Sequence, residues 1–324
     1  MYPLRRFVFL IMVAALATNV YSQTENWPNK PIKFVVTFPP GGSSDAAARI
    51  VAPRLAERLG QPVVVENRPG AGGGVGLDFV SKAPGDGYTI VLASAGGLTA
   101  NPSLYPRLGY DPVRDFVPIT LFGTSPFVLI SQPSLPVSSV ADVIKLAKLQ
   151  PGKLSYASGG NGTAMHLSGE LLKSMSQTRI LHIPYRGSSP ALLAVMAGET
   201  QLAVVDITTA AGQIKSGRVK ALGVLGKTRS SMAPELPTLN ETGLVGYDAS
   251  GWFGILAPAS IPAAIAQRLN AEITAILRSQ DVREKFANAW LEPMPSSQED
   301  MAMLIKNETV KWAKVIKDSG ATVD

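Results

Sequence analysis

Residues 32–60, IKFVVTFPPGGSSDAAARIVAPRLAERLG, join a β-strand pattern to a helical pattern through a glycine-rich loop. The run from Ile32 to Phe38 is apolar and rich in β-branched residues, and the stretch from Asp45 to Gly60 has helical periodicity. The loop between them, Pro39 to Ser44, contains no basic residue. Unpaired amides at the start of a helix attract an anion. The segment therefore predicts a backbone site for a small anion, most simply a carboxylate.

The same construction recurs about 120 residues later along the chain. A strand pattern from Lys153 to Ser158 leads into the loop Gly159 to Thr163, and an apolar periodic stretch from Ala164 to Met175 follows. Two anion-binding loops on two separate strand–loop–helix units predict a two-lobed protein that closes on its ligand.

Strand and helix patterns alternate along most of the chain. Further strands are predicted at 63–66, 88–93, 127–131, 180–185, 201–207 and 219–225, and further helices at 74–83, 140–149, 190–197 and 209–216. This alternation predicts an α/β fold with mostly parallel sheets flanked by helices. Ligands of such sheets bind at the carboxyl ends of the strands, where both glycine loops lie.

The C-terminal part breaks the alternation. After the strand pattern at 252–256, helices are predicted at 263–278, 282–290 and 298–317, and we interpret them as a return to the first lobe. The crossings between lobes are placed near 122–128 and 250–256. The predicted first lobe is therefore discontinuous, 23–124 and 253–324, and the second lobe is 125–252, with a ligand cleft between them.

The first 22 residues have the pattern of a cleaved secretory signal peptide. Arg5 and Arg6 precede an apolar core from Phe7 to Ala17, and small or tolerated residues precede a cut at Gln23. Removing 22 of 324 residues leaves 302, and the net charge falls from +6 to +4 because the leader has two arginines and no acid. We expect an exported protein.

The remaining composition excludes several classes of function. Lysines and arginines are scattered without runs, which argues against nucleic-acid binding. Cysteine is absent, which excludes disulfides, thiolate catalysis and cysteine-ligated metal. The two histidines lack a nearby acidic cluster, so no metal site is predicted.

A series of motifs resembles one known family over nearly all of the mature chain. The motifs are WPNKPI (27–32), FPPGGSSD (38–45), VVVENRPGAGGG (63–74), GDGYTI (85–90), NPSLY (101–105), PGKLSYASGGNGTAMHL (151–167), IPYRG (183–187), IKSGRVKALGV (214–224), LPTLNETG (236–243) and GWFGILAPASIP (251–262). Together they resemble the Bordetella uptake gene (Bug) family, the periplasmic solute-binding components of tripartite tricarboxylate transporters. The resemblance implies a type II-like, two-lobed periplasmic binding protein without cofactor or catalysis. Its expected partners are a small organic acid or amino acid and the large and small membrane subunits, and it is expected to be a monomer.

The resemblance also implies which residues contact the ligand. Carried over motif by motif, the carboxylate would be received by Phe38, Gly42, Ser43, Asp45, Asn161, Gly162, Thr163 and His166. The variable end of the ligand would face Ser94, Ala95 and Asp206.

Three of these residues have equally simple structural interpretations. Asp45 lies in a first helical turn, where a carboxylate complements the helix dipole and would repel an anionic ligand. His166 would suit either a neutral ring bonded to the ligand or a histidine satisfied within the protein. Asp206, within the apolar run 202–207, could bind a ligand hydroxyl or ammonium, or bond backbone amides of the next helix.

Two rival functions remain open at this stage. An exported hydrolase would use Ser43 or Ser94 with His166, although the sequence has no G-x-S-x-G elbow. A ligand sensor that partners a sensor kinase would close on its solute in the same way as an uptake protein.

Overall fold

The computed structural model describes residues 27–322, so the predicted leader at 1–22 and its cleavage site lie outside the described residues. The strands are β1 Ile32–Val36, β2 Val63–Asn67, β3 Thr89–Ser94, β4 Phe116–Thr124, β5 Phe127–Ser131, β6 Ser155–Ser158, β7 Leu181–Pro184, β8 Leu202–Asp206, β9 Lys220–Val224, β10 Trp252–Pro258 and β11 Glu292–Pro293. The α-helices are α1 Ser43–Leu59, α2 Gly74–Ser81, α3 Asn101–Leu104, α4 Val140–Leu149, α5 Ala164–Ser176, α6 Ser188–Ala197, α7 Ile207–Lys215, α8 Ala263–Arg278, α9 Gln280–Asn288 and α10 Gln298–Ser319. A 3₁₀ turn at Ala71–Gly73 and a π-helical turn at Gly96–Ala100 precede α2 and α3. Over 27–322, no helix combines the length and apolar character needed to cross a membrane.

The strands form two separate sheets, one in each lobe. The first sheet has the order β11-β4-β10-β3-β1-β2, and the second has the order β7-β6-β8-β5-β9. The two-lobed α/β fold is therefore confirmed.

Both sheets are mixed, which corrects the expectation of mostly parallel sheets. The strands β1, β2 and β3 pair in parallel, as do β6, β7 and β8, whereas β10 runs antiparallel to β3 and β4, and β5 runs antiparallel to β8 and β9. The strands β5 and β10, each antiparallel to both of its neighbours, are those that carry the chain into a lobe. Because such a strand does not follow a helical crossover within its own sheet, it is free to run in the opposite direction.

Each sheet has a hydrophobic core on both faces. In the first lobe one core joins Phe34, Leu55 and Leu269, and the opposite core joins Val91 and Leu77. The second lobe has the same arrangement, with α4 and α5 covering one face and α6 and α7 covering the other. Helices on both faces leave the strand ends as the open side of each lobe, and both glycine loops lie there.

The last helix, α10, contacts both lobes. Met301 and Ile305 pack in a core of the first lobe, whereas Trp312 and Ile316 pack with α4 and α5 in a core of the second. We propose the division 23–124 and 253–324 against 125–252, because β4 and β10 belong to one sheet and β5 and β9 to the other. In this division α10 is a first-lobe helix whose second half reaches across to the other lobe.

Candidate functional site

The first glycine loop places the start of α1 at the cleft. Gly41 has a φ of +84°, and Gly42, which precedes the helix, offers no side chain to cap it. The first helical hydrogen bond runs from the Ala46 amide to the Gly42 carbonyl, at 3.0 Å. The earlier amides of the turn are therefore free to bind an anion from outside the helix.

Asp45 holds this loop together. Its carboxylate accepts hydrogen bonds from the amide of Gly41 (3.0 Å), from Nε of Arg49 (2.9 Å) and from Nδ2 of Asn67 (3.0 Å). Burial alone would raise the pKa of Asp45, but these bonds outweigh it and keep the pKa below its ordinary value. Since both carboxylate oxygens accept hydrogen bonds from the protein, the geometry favours the structural interpretation of Asp45.

The second glycine loop begins helix α5. The Thr163 hydroxyl accepts from the His166 amide at 3.2 Å and donates to the Gly160 carbonyl at 2.7 Å, so it caps the helix as its residue type predicts. The Gly162 amide donates to Nδ1 of His166 at 3.3 Å. His166 thus contacts the loop from within the second lobe.

The buried imidazole of His166 stacks on the half-buried imidazole of His182. Its ring lies 4.1 Å from that of His182, with 19° between the planes, and Nε2 of His182 lies 2.6 Å from the Ser158 hydroxyl. Burial lowers the pKa of His166 to about 4 and that of His182 to about 3, so both rings are neutral near pH 7. The pair supports the loop at the end of β6, which favours the structural interpretation of His166.

A third helix, predicted from the sequence at 190–197, also begins at the cleft, and the sequence analysis did not assign its start to the site. Helix α6 starts at Ser188 after Gly187, whose φ is +115° and which provides no side-chain cap. The triplet Gly187-Ser188-Ser189 repeats the triplet Gly42-Ser43-Ser44 that precedes α1. That repeat, at a predicted strand end, is the signal that could have identified this segment.

Asp206 connects the two lobes. It ends β8 and lies just before α7, with only 4% of its surface exposed. Its Oδ1 accepts a hydrogen bond from the Ser43 hydroxyl of the first lobe at 2.9 Å, and its amide donates to the Ser188 hydroxyl at 2.9 Å. Burial raises the pKa of Asp206 to about 6, and the hydroxyl groups around it offset only part of that effect.

Two neighbouring cavities occupy the cleft. The first chamber, of about 280 Å³, is lined by Phe38, Pro39, Pro40, Gly42, Ser43, Ser44, Ser94, Phe127, Thr163, Ala164, Met165, Arg186, Gly187, Ser188, Ser189, Pro190, Asp206 and Phe253. The second chamber, of about 500 Å³, is lined by Phe38, Pro39, residues 69–73, Tyr105, Gly159, Gly160, Asn161, Thr163, Tyr185, Arg186 and Gly187. The starts of α1, α5 and α6 all border the first chamber, which gives it a positive backbone potential.

The structure brings most of the predicted site residues to these chambers. Six line the first chamber, namely Phe38, Gly42, Ser43, Ser94, Thr163 and Asp206. Asn161 lines the second chamber, which Phe38 and Thr163 also border. Asp45, Ala95, Gly162 and His166 line neither of the two chambers.

Ser94 has an uncommitted hydroxyl in the first chamber. Among residues 27–322 its Oγ has no hydrogen-bond partner, although it is buried. A buried hydroxyl without a partner costs free energy unless a ligand or water supplies the missing bond. Ser94 is therefore the side chain that most directly indicates a polar group of the ligand.

Four further lining residues were not among the site residues predicted from the sequence. Phe127 and Phe253 lie where β5 and β10 begin, beside the two crossings, and Met165 follows the second loop. Arg186 borders both chambers and, within the described part of the chain, forms no ion pair. No local pattern distinguishes these side chains from core or surface residues before the lobes are assembled.

Gly96, in the π-helical turn after β3, contacts the second glycine loop across the cleft. A Cβ added at Gly96, in the first lobe, would lie 2.8 Å from both the Ala164 amide and the Gly162 carbonyl of the second lobe. Tyr105 donates a long hydrogen bond of 3.4 Å to the Asn161 carbonyl beside this contact. The lobes are therefore closed around the chambers in this structure.

The sequence model of a protein family, described as the tripartite tricarboxylate transporter family receptor, matches residues 47–321. The chain belongs to this receptor family. Protein BugT of Bordetella pertussis, strain Tohama I, is 36% identical to it over 312 residues, covering 96% of this chain and 95% of BugT. The members of this receptor family are periplasmic solute-binding proteins.

Solved structures of similar proteins share the fold. The R. palustris protein Rpa4515, solved with adipate, has a TM-score of 0.87 and 35% identity, covering 92% of this chain and all of that one. MatC from Rhodopseudomonas palustris, solved with bound malate, has a TM-score of 0.83 and 29% identity over 90% of this chain and all of MatC. Both ligands are small carboxylates.

Proposed function

We propose that this protein captures a small carboxylate between its lobes in the periplasm and delivers it to the membrane subunits of a tripartite tricarboxylate transporter. The observation that carries the proposal is the convergence of three helix starts, at Ser43, Ala164 and Ser188, on one buried chamber. Gly42 and Gly187 leave two of these helices without a side-chain cap. Backbone amides that lack an internal acceptor suit a carboxylate better than a neutral or cationic ligand.

The proposed contacts follow from the lining of the chambers. Ser43, Ser44, Ala164 and Met165 would offer amides to the carboxylate, with Phe38 packed beside it. Ser94 and Asp206 would face the other end of the ligand. Asp45, Ala95, Gly162 and His166 would act indirectly, by fixing the loops and the strand end that form the walls.

Export and assembly belong to the same proposal. A leader at residues 1–22 would direct the chain through the inner membrane, and the mature protein would act as a monomer. The large and small membrane subunits would be its partners and would receive the ligand when the lobes open. A role as the ligand-sensing partner of a sensor kinase is the alternative, and genes for the two membrane subunits beside this one would argue against it.

Hydrolysis has little support from the geometry. Ser43 donates its hydroxyl hydrogen bond to Asp206, and Nδ1 of His166 accepts from the Gly162 amide. A serine nucleophile needs a histidine within hydrogen-bond distance, and these two side chains are bonded elsewhere. Ser94 also lacks such a histidine, because within residues 27–322 its Oγ has no hydrogen-bond partner. We therefore propose binding without catalysis, and turnover of activated esters by the purified protein would contradict it.

The test is a thermal-shift and calorimetric screen of mono-, di- and tricarboxylates and amino acids against the mature protein. A ligand that binds only the folded state raises the melting temperature, and the rise grows with the logarithm of the ligand concentration relative to its Kd. Absence of any shift across the panel, together with no carboxylate in native mass spectra, would overturn the proposal.

Gly42→Val sharpens the test. Gly42 has an ordinary φ of −88°, and an added Cβ would meet only the Pro39 carbonyl at 3.9 Å. The valine should therefore leave folding nearly intact while blocking the approach of the ligand to the α1 amides. Gly212→Val is the matched control, because Gly212 lies in α7 with open space around its Cβ position. Unchanged affinity in a folded Gly42→Val protein would remove the first loop from the site.

A further inference from the structure

The lining of the first chamber is mainly apolar around its anion-binding edge. Phe38, Phe127 and Phe253 come from three different segments, and Met165 and Pro190 complete the apolar wall. Phe127 lies opposite Asp206 in the pairing of β5 with β8, and Phe253 lies opposite Ser94 in the pairing of β10 with β3. Each lobe therefore places a phenylalanine beside a polar residue at the chamber.

Three hydroxyl groups of the chamber are bonded within the protein itself, whereas the Ser94 hydroxyl has no partner in the described part of the chain and can bind one polar group of the ligand. Ser43 donates to Asp206, Thr163 donates to Gly160, and Ser188 accepts from the Asp206 amide. A ligand that carries several hydroxyls or carboxylates along a short chain would bury some of them against phenylalanine rings without a partner. Each such group costs more free energy than the apolar contact returns.

The volume of the first chamber also favours a ligand with a compact apolar body. A volume of about 280 Å³ lies near the lower end of the range for small-molecule sites, so it suits a compact body such as a benzene ring or a six-carbon chain. The rings of Phe127 and Phe253 are at most 6% exposed and lie beside the two chain crossings, so closure of the lobes would press both against the ligand.

We infer that the preferred ligand is a carboxylate with an apolar body, either an aromatic ring or an unsubstituted alkyl chain, rather than a short acid rich in hydroxyl and carboxyl groups. This inference rests on the proposed function, because it assumes that the cleft binds a carboxylate. The carboxylate lies on the helix starts, and the body lies between Phe38, Phe127 and Phe253.

Adipate and succinate give the cleanest comparison, because they have the same two charges and differ by two methylene groups. Two additional buried methylenes correspond to about a tenfold gain in affinity, so calorimetry should show adipate binding about tenfold more tightly than succinate. Benzoate should likewise bind more tightly than malate. Phe253→Leu and Phe127→Leu should each weaken benzoate binding by about 2- to 12-fold, the range for the loss of one aromatic contact. Phe79→Leu is the control, because Phe79 packs under the Arg68 guanidinium, at 3.6 Å, and does not line the chamber.

The outcomes separate this inference from the proposed function. Succinate or malate binding as tightly as adipate and benzoate would overturn the apolar-body class and leave carboxylate binding intact. Unchanged benzoate affinity in both cleft variants would move the ligand body out of the first chamber and also overturn the inference. Absence of binding by every acid would overturn both proposals. The comparison of acids uses the unmodified protein, so it decides the question even if a leucine variant fails to fold.

Discussion

Asp206→Asn should change how the stability of this protein depends on pH. The carboxylate of Asp206 is buried among hydroxyl groups and has no cationic side chain as a partner among the described residues. Asparagine has nearly the same shape and keeps an oxygen that can accept the 2.9 Å hydrogen bond from Ser43. The substitution therefore removes the charge while preserving most of the contacts between the lobes.

The direction and size of the effect follow from the raised pKa. The unfolded chain ionises Asp206 near 3.8, whereas the folded protein ionises it at about 6. Between these values the folded state holds more protons, so the free energy of unfolding falls as the pH rises. The difference between the two pKa values corresponds to about 3 kcal/mol, most of it lost between pH 4 and pH 7.

Urea unfolding of the wild type and Asp206→Asn at several pH values from 4 to 7 measures the contribution of Asp206 ionisation to the free energy of unfolding. The stability of the variant relative to the wild type should increase by about 2 to 3 kcal/mol over that range, since all other titrating groups cancel. Asp142→Asn is the control, because the amide of Ser138 and two serine hydroxyls hold the pKa of Asp142 at about 2. That carboxylate is ionised in both states above pH 4, so its relative stability should stay nearly constant. A constant or decreasing difference for Asp206→Asn would refute the reasoning.

Three further predictions concern the lobes and their loops. Gly96→Ala should weaken ligand binding more than it lowers the free energy of unfolding, because its Cβ would lie 2.8 Å from the Ala164 amide only when the lobes are closed. Small-angle scattering should show a more open protein. Unchanged affinity would argue against a contact between Gly96 and Ala164 in the closed protein. His166 stays neutral in the folded protein, with a pKa of about 4, whereas the unfolded chain protonates it near 6.5, so the wild type should lose up to about 3 kcal/mol of unfolding free energy as the pH falls from 6.5 toward 4. His166→Asn should abolish this loss. Urea unfolding at pH 4.5 and 7 measures it, and an unaltered acid sensitivity would contradict it. Trp312→Ala should cost about 3 to 5 kcal/mol in unfolding free energy, since the ring is 1% exposed in the core of the second lobe; a cost below 1 kcal/mol in chemical denaturation would show that α10 is not needed there.

Local patterns predicted most of the secondary structure. Three elements have the bounds that the sequence indicated, the strand Phe127–Ser131 and the helices Val140–Leu149 and Ala263–Arg278. These segments have a strong period and clear ends, so local chemistry defines them. The strand Phe116–Thr124 was missed, because Pro118 and Gly123 interrupt its pattern and only pairing with β10 on one side and β11 on the other stabilises it.

The site was predictable where the backbone forms it and not where distant side chains do. The two glycine loops could be recognised because a strand, a glycine turn and a helix start are contiguous in sequence. The bond between Ser43 and Asp206 joins residues 163 positions apart, and the chamber wall of Phe127 and Phe253 forms only when two crossing strands come together. Such contacts depend on how the lobes close, which no local pattern records.

The placement of α10 bears on the order in which the chain can complete its fold. Each lobe contains a sheet that could form early, yet the core residues at 301–316 are synthesised after the strands of both sheets. Neither lobe has its full apolar core until this helix docks, so the two lobes should not mature as independent domains. Denaturation should accordingly be a single cooperative transition, and a chain ending before Gln298 should fail to populate either lobe as a stable unit.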